Sequence, residues 1–236
     1  MKKSILALFS ILLIVACKEK HTDTNLTITG SIKGLQKGTL YIKKIEDTAL
    51  VVLDSIKIDG NAAFERHLKI ASPEMLYLFL DRGTSNTIDN NLMFFAEPGK
   101  INIDTDLEFF YAKAKITGSK NQELFELYKK INSRFIDQQL TLTEERLKAL
   151  KNNQTDLLEA NNQKSEAILK RKYLYAINFA VTNKEYEVAP YIALAEINDA
   201  TTTYLDTIEK SMSKKVSQSK YGKMLTKYVA DRKKQE

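Results

Sequence analysis

Residues 116–135 read ITGSKNQELFELYKKINSRF, and the fold class depends on a change of pattern inside this stretch. Up to Gly118 the chain consists of short apolar segments separated by turn residues. Ser119 and Gln122 then form the Ser-x-x-Gln pattern of a helix N-terminus, where side chains bond the free backbone N–H groups. Leu124, Tyr128, Ile131 and Phe135 follow at helical spacing. The stretch therefore predicts that strands give way to helices near residue 118.

The distribution of glycine supports the same division. Seven of the eight glycines lie between Gly30 and Gly118, and the last one is Gly222. Pro190 is the only proline between Gly118 and Gly222. Because glycine and proline end regular elements, the first half turns often and the second half does not.

Alternating or continuous apolar runs in the first half predict about eight short antiparallel strands. Asp59-Gly60-Asn61 predicts a tight hairpin, and Glu97-Pro98-Gly99-Lys100 has the Pro-Gly pair of a type II turn. Such strands form a β-sandwich or a partly open barrel. The expected strands are Leu26–Ile32, Thr39–Lys43, Leu50–Ile58, Phe64–Ile70, Met75–Leu80, Leu92–Ala96, Ile101–Asp104 and Ala112–Thr117.

The second half predicts a long helical hairpin followed by shorter helices, so the fold class is α+β. Thr141-x-x-Glu144 suggests a second helix start within the hairpin. Residues 152–166 are almost all polar and predict an exposed helical tip or loop. Further helices are expected at Pro190–Ile197, Thr202–Met212 and Ser217–Lys233.

The N-terminus has the pattern of an export signal. Lys2 and Lys3 precede an apolar run from Ile5 to Ala16, which is too short to cross a bilayer as a helix. Ile14-Val15-Ala16-Cys17 resembles the lipobox of bacterial lipoproteins, which implies cleavage after Ala16 and lipid attachment to Cys17. Each buried lipid methylene contributes about 0.8 kcal/mol, so two or three chains anchor firmly.

The expected organisation follows from these signals. Residues 1–16 are a cleaved signal peptide, 17–25 the lipid anchor and tether, 26–118 a β-rich domain and 119–236 an α-helical domain. Lys18 follows the cysteine. By resemblance to Gram-negative sorting rules, this predicts an outer-membrane lipoprotein that faces the periplasm or the cell surface.

Composition argues against several function classes. The formal net charge is +6, and no basic stripe interleaved with aromatic residues accompanies it, so nucleic acid is not expected as a partner. Cys17 is the only cysteine, and His21 and His67 are the only histidines. These residues are too few for an intrachain disulfide, a zinc cluster or a thiol–imidazole pair. No metal, cofactor or catalytic residue is therefore predicted.

Four features allow a functional interpretation beside a structural one. His67, between Glu65 and Lys69, is expected on a solvent-facing strand face without a partner. Asp104-Thr105-Asp106 with Glu108 is similar to part of a calcium loop, but it lacks the glycine and the distal glutamate. The basic segment Lys214–Lys234 is expected to be the solvated face of a terminal helix rather than a contact for anionic lipids. Eleven tyrosines and ten phenylalanines are expected to pack in the core rather than to line a ligand cleft.

Several segments resemble one family. They are Gly30–Leu35 with Gly38–Ile42, Phe94–Ile103, Ile116–Ser119, Val188–Tyr191 and Ser219–Lys223. They are similar to the uncharacterised N-terminal domain and helical connector of bacterial lipid-anchored thiol–disulfide oxidoreductases, in which a thioredoxin-fold module follows. The sequence contains no Cys-x-x-Cys pair. The resemblance therefore implies fold and location but not disulfide exchange.

The leading expectation is a non-catalytic, lipid-anchored cell-envelope protein that serves as a binding or scaffold module, with a separate thioredoxin-like protein as a partner. Its expected interaction surfaces are the polar tip at residues 152–166 and the helical C-terminus. One alternative is a surface-exposed lipoprotein that binds a glycan or peptide. The other is an enzyme of unrecognised type, which requires a pocket with convergent titratable groups.

Overall fold

Two four-stranded sheets followed by helices form the chain, as the computed structural model shows for residues 23–83 and 88–235. This confirms the α+β class and the sandwich-like arrangement. Within those residues the strands are β1 Leu26–Lys33, β2 Lys37–Glu46, β3 Ala49–Asp59, β4 Ala63–Leu68, β5 Glu74–Asp81, β6 Asn91–Ala96, β7 Gly99–Asp106 and β8 Lys115–Thr117. A short 3₁₀ helix, Ile88–Asn90, precedes β6.

The first sheet has the strand order β4-β1-β7-β8 and the second has the order β3-β2-β5-β6. The prediction that all strands are antiparallel is wrong for one pair, because β1 runs parallel to β7, from Leu26 opposite Gly99 to Lys33 opposite Asp106. The chain between these strands passes through the second sheet and returns in the same direction. No tight turn therefore imposes an antiparallel arrangement.

The predicted hairpin at Asp59-Gly60-Asn61 is also wrong. β3 pairs with β2 and β4 pairs with β1, so this turn carries the chain from one sheet to the other. The backbone N–H of Gly60 donates to the carbonyl of Gln36, 2.8 Å away, at the preceding crossing between the sheets. The turn at Glu97-Pro98-Gly99 is another such crossing, from β6 to β7. Alternation of apolar residues predicts which face a strand buries, but it does not identify the neighbouring strand.

The β5 and β6 part of the second sheet is covered on both faces, which explains the continuous apolar sequences of these two strands. Leu76, Leu78 and Phe94 point into the sandwich core. Met75 and Phe95 lie on the opposite face, in a second core shared with the helices. The two hydrophobic cores of the molecule are therefore separated by a single sheet.

The helices are α1 Lys120–Lys151, α2 Thr155–Thr182, α3 Val188–Glu196, α4 Thr202–Ser211, α5 Lys214–Ser217 and α6 Lys220–Lys233. Ser119 caps α1, since the backbone N–H of Gln122 donates to its hydroxyl at 3.1 Å. α1 and α2 form the predicted hairpin. The predicted helix start at Thr141 is wrong, because its hydroxyl bonds back to the carbonyl of Asp137 inside a continuous helix. Burial of Leu142 and Ala149 on the following turns keeps α1 intact through this region.

Candidate functional site

The predicted lipid-attachment residue Cys17 and its cleavage flank Ala16 lie outside the described residues, as does His21. The lipid anchor therefore stays a prediction. In the part of the chain that the structure describes, no helix has an apolar stretch long enough to span a membrane.

His67 lies on the outer face of the first sheet and has two neighbours within bonding distance. Its Nδ1 is 3.1 Å from the hydroxyl of Thr27 on β1. Its Nε2 is 3.2 Å from Glu65 Oε1 on its own strand. The ring is partly exposed, but the expectation that it has no partner is wrong. Thr27 of β1 lies opposite His67 of β4, and this pairing brings the hydroxyl to the imidazole. The sequence of β4 alone does not reveal this neighbour.

The polar side chains of this face continue across β1 and β7. The Thr29 hydroxyl donates to Asn102 Oδ1 at 3.0 Å, and Asn102 Nδ2 donates to Asp104 Oδ2 at 2.6 Å. Around them is a shallow depression of about 460 Å³, whose lining includes Thr29, Glu65, Asn102 and Asp104. We call this the sheet depression. It is open, and beside the apolar surface of Ala63 and Phe64 it carries hydroxyl, amide and carboxylate groups that could bond a polar solute.

The acidic segment on β7 is held by protein groups. Asp106 accepts a hydrogen bond from the backbone N–H of Glu108 at 2.9 Å. That bond, together with the ammonium group of Lys113, lowers the pKa of Asp106 below its usual value, although burial acts in the opposite direction. Among the described residues, no three His, Cys, Asp or Glu side chains are grouped to hold a metal ion.

Many of the aromatic residues pack in the second core, as predicted, whereas Phe109 and Tyr111 are exposed. Phe95 of β6, Tyr191 of α3 and Tyr221 of α6 pack edge to face with centroid distances between 5.1 and 6.0 Å. The hydroxyl of Tyr221 accepts a hydrogen bond from the backbone N–H of Met75 at 2.9 Å. α6 is thereby fixed to the second sheet through both ring packing and a buried hydrogen bond.

A buried polar junction, formed by Glu97, Asn121, Gln122 and Glu187, attaches the helices to the strands. Glu97 accepts hydrogen bonds from the backbone N–H groups of Lys120 and Asn121 at the start of α1. The side chain of Asn121 donates to Glu97 at 2.7 Å and to Glu187 at 3.2 Å, and it accepts from the N–H of Val188 at 2.9 Å. Gln122 accepts from the N–H of Phe95 at 2.7 Å. This last bond satisfies a backbone donor on the edge strand β6.

The basic C-terminal segment forms ion pairs with other elements. Lys220 pairs with Glu74 on β5, and Lys233 pairs with Asp206 on α4. Lys215 lies 3.7 Å from the buried carboxylate of Glu187. Tyr221, Leu225 and Val229 on α6 are buried in the second core. The segment therefore combines a packed helix face with ammonium groups that bind acidic neighbours of the same chain.

A regular apolar surface lies on α1, on the outer part of the hairpin. Ile136, Leu140, Leu147 and Leu150 are all exposed. With Thr143 between them, they follow the spacing 4, 3, 4, 3 along one helix face. We call these five residues the hairpin stripe. Thr143 also borders a polar groove between α1 and α2 that includes Arg146 and Glu166.

Sequence reasoning overlooked the hairpin stripe. It identified Leu124, Tyr128, Ile131 and Phe135 as the buried face of α1, and it assumed a helix break at Thr141. The break would place Leu147 and Leu150 on another helix. When residues 120–151 are treated as one continuous helix, their sequence shows two apolar faces. Only one of these faces can contact α2.

One comparison with known proteins concerns the first half of the chain. Residues 26–125 match the model of a domain of unknown function (DUF4369). The DUF4369 domain includes β1 to β8 and ends just after Asn121 and Gln122, two residues of the polar junction. No curated protein and no solved structure matches the chain.

Proposed function

We propose that this protein is a non-catalytic, lipid-anchored scaffold or binding module of the cell envelope, and that the hairpin stripe is its docking surface. The observation that carries the proposal is the exposure of four large aliphatic side chains at coiled-coil spacing on one face of α1. Monomeric proteins seldom leave such a periodic apolar surface in water.

The construction of the molecule supports this proposal. Glu97, Asn121 and Gln122 fix the base of α1 to the sheets through hydrogen bonds, of which the one between Gln122 and Phe95 is buried. The outer half of the hairpin then presents the stripe from a firmly held base. Because little orientational freedom remains to be lost on docking, a weak apolar contact gains affinity.

The hairpin surface is tested by photocross-linking in cells that produce the full chain. A photoreactive residue replaces Leu147, and a matched control replaces Leu127, an equally exposed leucine on the opposite side of α1. We expect a reproducible cross-linked species from position 147 and none from position 127. Equal yields at both positions, or no product at either, would contradict docking through the stripe.

The anchor is tested separately by labelling cells with radioactive palmitate. We expect label on the wild-type chain and none on the C17A variant, with the wild type in the membrane fraction. An unlabelled wild-type chain that retains residues 1–16 would contradict the envelope assignment. A thioredoxin-like protein is the partner that the family resemblance suggests, and coproduction of such a protein with the photoreactive chain tests that pairing.

Solute capture is the second candidate function, and the sheet depression is the observation that favours it. Thr29, Glu65, Asn102 and Asp104 offer donors and acceptors on one open surface. A ligand that binds only the folded state raises the melting temperature. We therefore expect a glycan or peptide that binds there to stabilise the wild type but not the N102A variant. No shift from a panel of such ligands would contradict this candidate.

A further inference from the structure

We propose that the occupant of the hairpin stripe is the same stripe of a second copy, with the two α1 helices antiparallel around a two-fold axis midway between Thr143 and Leu147. This inference rests on the proposed function in one respect only, namely that the stripe is a docking surface. It adds the identity of the partner and the geometry of the contact.

The spacing of the stripe is the first argument. At 100° per residue, Ile136, Leu140, Thr143, Leu147 and Leu150 lie within an arc of about 80°. They cover about 21 Å of helix at a rise of 1.5 Å per residue. A narrow seam with this alternation of three and four residues suits a second helix better than a broad apolar surface.

Self-complementarity is the second argument. In an antiparallel coiled coil, residues at a-type positions face residues at d-type positions. With the axis midway between Thr143 and Leu147, Leu140 faces Leu150 of the second copy and Thr143 faces its Leu147. The two-fold axis repeats each of these contacts, so three leucines and Thr143 of each copy lie in the seam, and Ile136 lies at its end. This is the isologous arrangement that two-fold symmetry requires.

Charges beside the seam favour the antiparallel direction. Asp137 and Lys151 occupy the same flank of the stripe, and no ion pair within residues 23–83 and 88–235 involves either of them. Antiparallel pairing brings Asp137 close to Lys151 of the second copy, twice per dimer. Parallel pairing instead brings Lys151 next to Arg146 of the second copy, which is repulsive.

One charge near the axis opposes the pairing but is compensated. Glu144 approaches its own equivalent close to Thr143. Its carboxylate already binds the ammonium group of Lys148 at 2.5 Å, and this contact lowers the pKa of Glu144. The local charge near the axis is therefore close to neutral.

The expected contact is small. A seam of five positions falls below the roughly 1,200 Å² of total buried area typical of stable interfaces. We therefore expect concentration-dependent association in solution, and stronger association wherever copies are confined to a surface.

Cysteine cross-linking in cells tests both the partner and the direction. Two differently tagged full chains are coproduced, one with L140C and the other with L150C. We expect a disulfide-linked species that carries both tags, because antiparallel pairing places these positions opposite each other. The control pair carries L127C in both copies, and the wild-type chain reports any contribution of Cys17. Species carrying one tag only, or no species at twice the chain mass, would overturn the antiparallel dimer.

Charge reversal tests the register with little risk to folding, since Asp137 and Lys151 are exposed. In the cross-linking assay, D137K should lower the yield at least about fivefold, whereas D137K/K151D should restore it. L140K/L147K should abolish the product and L127K should leave it unchanged. A yield that is insensitive to all these changes would overturn the inference.

The result separates this inference from the proposed function. If position 147 cross-links to a different protein and never to a second copy, the dimer is wrong and the stripe is still a docking surface. If position 147 gives no product, both proposals fail.

Discussion

At the residue scale, Gly118 and Gly60 have almost the same backbone torsion but very different surroundings. Their φ values are 93° and 92°. A Cβ on Gly118 would lie 2.0 Å from the carbonyl oxygen of Lys100, whereas a Cβ on Gly60 would meet nothing within 4 Å. Alanine at Gly60 therefore loses stability only through the strained torsion, whereas alanine at Gly118 also loses stability through the contact with Lys100.

We expect G60A to lower the free energy of unfolding by about 1 kcal/mol, because only the left-handed torsion is strained. G118A should cost about 3 kcal/mol or more, since the backbone must also shift. Urea denaturation followed by circular dichroism measures both values. Equal losses for the two variants would contradict the close packing at Gly118.

Asn121 offers a second comparison at this scale. Its buried amide bonds Glu97, Glu187 and the N–H of Val188, so N121A removes the side-chain acceptor of the Val188 N–H and one hydrogen bond from each carboxylate. We expect a loss of about 3 kcal/mol in unfolding free energy. N162A, at an exposed asparagine of α2, should change it by no more than about 0.5 kcal/mol. A small effect of N121A would mean that the polar junction contributes little to stability.

At the scale of elements, periodicity predicted most of the strands and helices but not their partners. β5 and β6 were expected to be covered on both sides because Met75–Leu80 and Leu92–Ala96 are apolar throughout. The parallel pairing of β1 with β7 could not be read from either strand, since it depends on four crossings between the sheets. His67 shows the same limit, because its neighbour Thr27 is brought to it by strand pairing.

The candidate site was the harder part to predict. Coiled-coil spacing from Ile136 to Leu150 is visible in the sequence. Its exposure is not visible there, because it depends on which face of α1 packs on α2. The cap-like pair Thr141 and Glu144 suggested a break, but burial of Leu142 and Ala149 outweighs that local signal.

The α1–α2 hairpin should lose protection from hydrogen exchange toward its tip. Near its base, Leu124, Phe125 and Tyr128 are buried in the second core, whereas Leu140, Leu147 and most of residues 151–160 are exposed. We expect amides in residues 145–160 to exchange faster than those in residues 124–132, because local opening there exposes little apolar surface. Mass spectrometry of exchanged peptides measures this gradient at low protein concentration. Uniform protection along α1 would contradict it.

At the scale of the whole molecule, the second sheet is shared by both hydrophobic cores. Met75 and Phe95 belong to one core, while Leu76 and Phe94 belong to the other. Loss of either core therefore exposes one face of the same sheet. The strand and helix regions are coupled through this layer.

Tyrosine ionisation should report on the whole fold. Burial raises the pKa values of Tyr128, Tyr191 and Tyr221 in the second core, and burial together with Asp199 raises the pKa of Tyr173 to about 12. Because the folded-state pKa exceeds the unfolded value near 10, the stabilisation is complete below pH 10. It is lost as the pH rises through the folded-state values.

We therefore expect alkaline titration, followed by absorbance at 295 nm, to show two phases. The late phase should coincide with loss of the near-ultraviolet circular dichroism signal. In concentrated urea all tyrosines should ionise in one phase near pH 10. A single phase near pH 10 in the native protein would contradict the burial of these rings.

The central position of β1 has a mechanical consequence. β1 is the first strand among the described residues, and it lies between β4 and β7, with backbone ladders on both sides from Leu26 onward. Tension applied through the residues before Leu26 pulls β1 along its own axis. Both ladders then resist in shear, so many hydrogen bonds must break together rather than one after another. We therefore expect the fold to resist a pulling force well when that force is applied through the residues before Leu26.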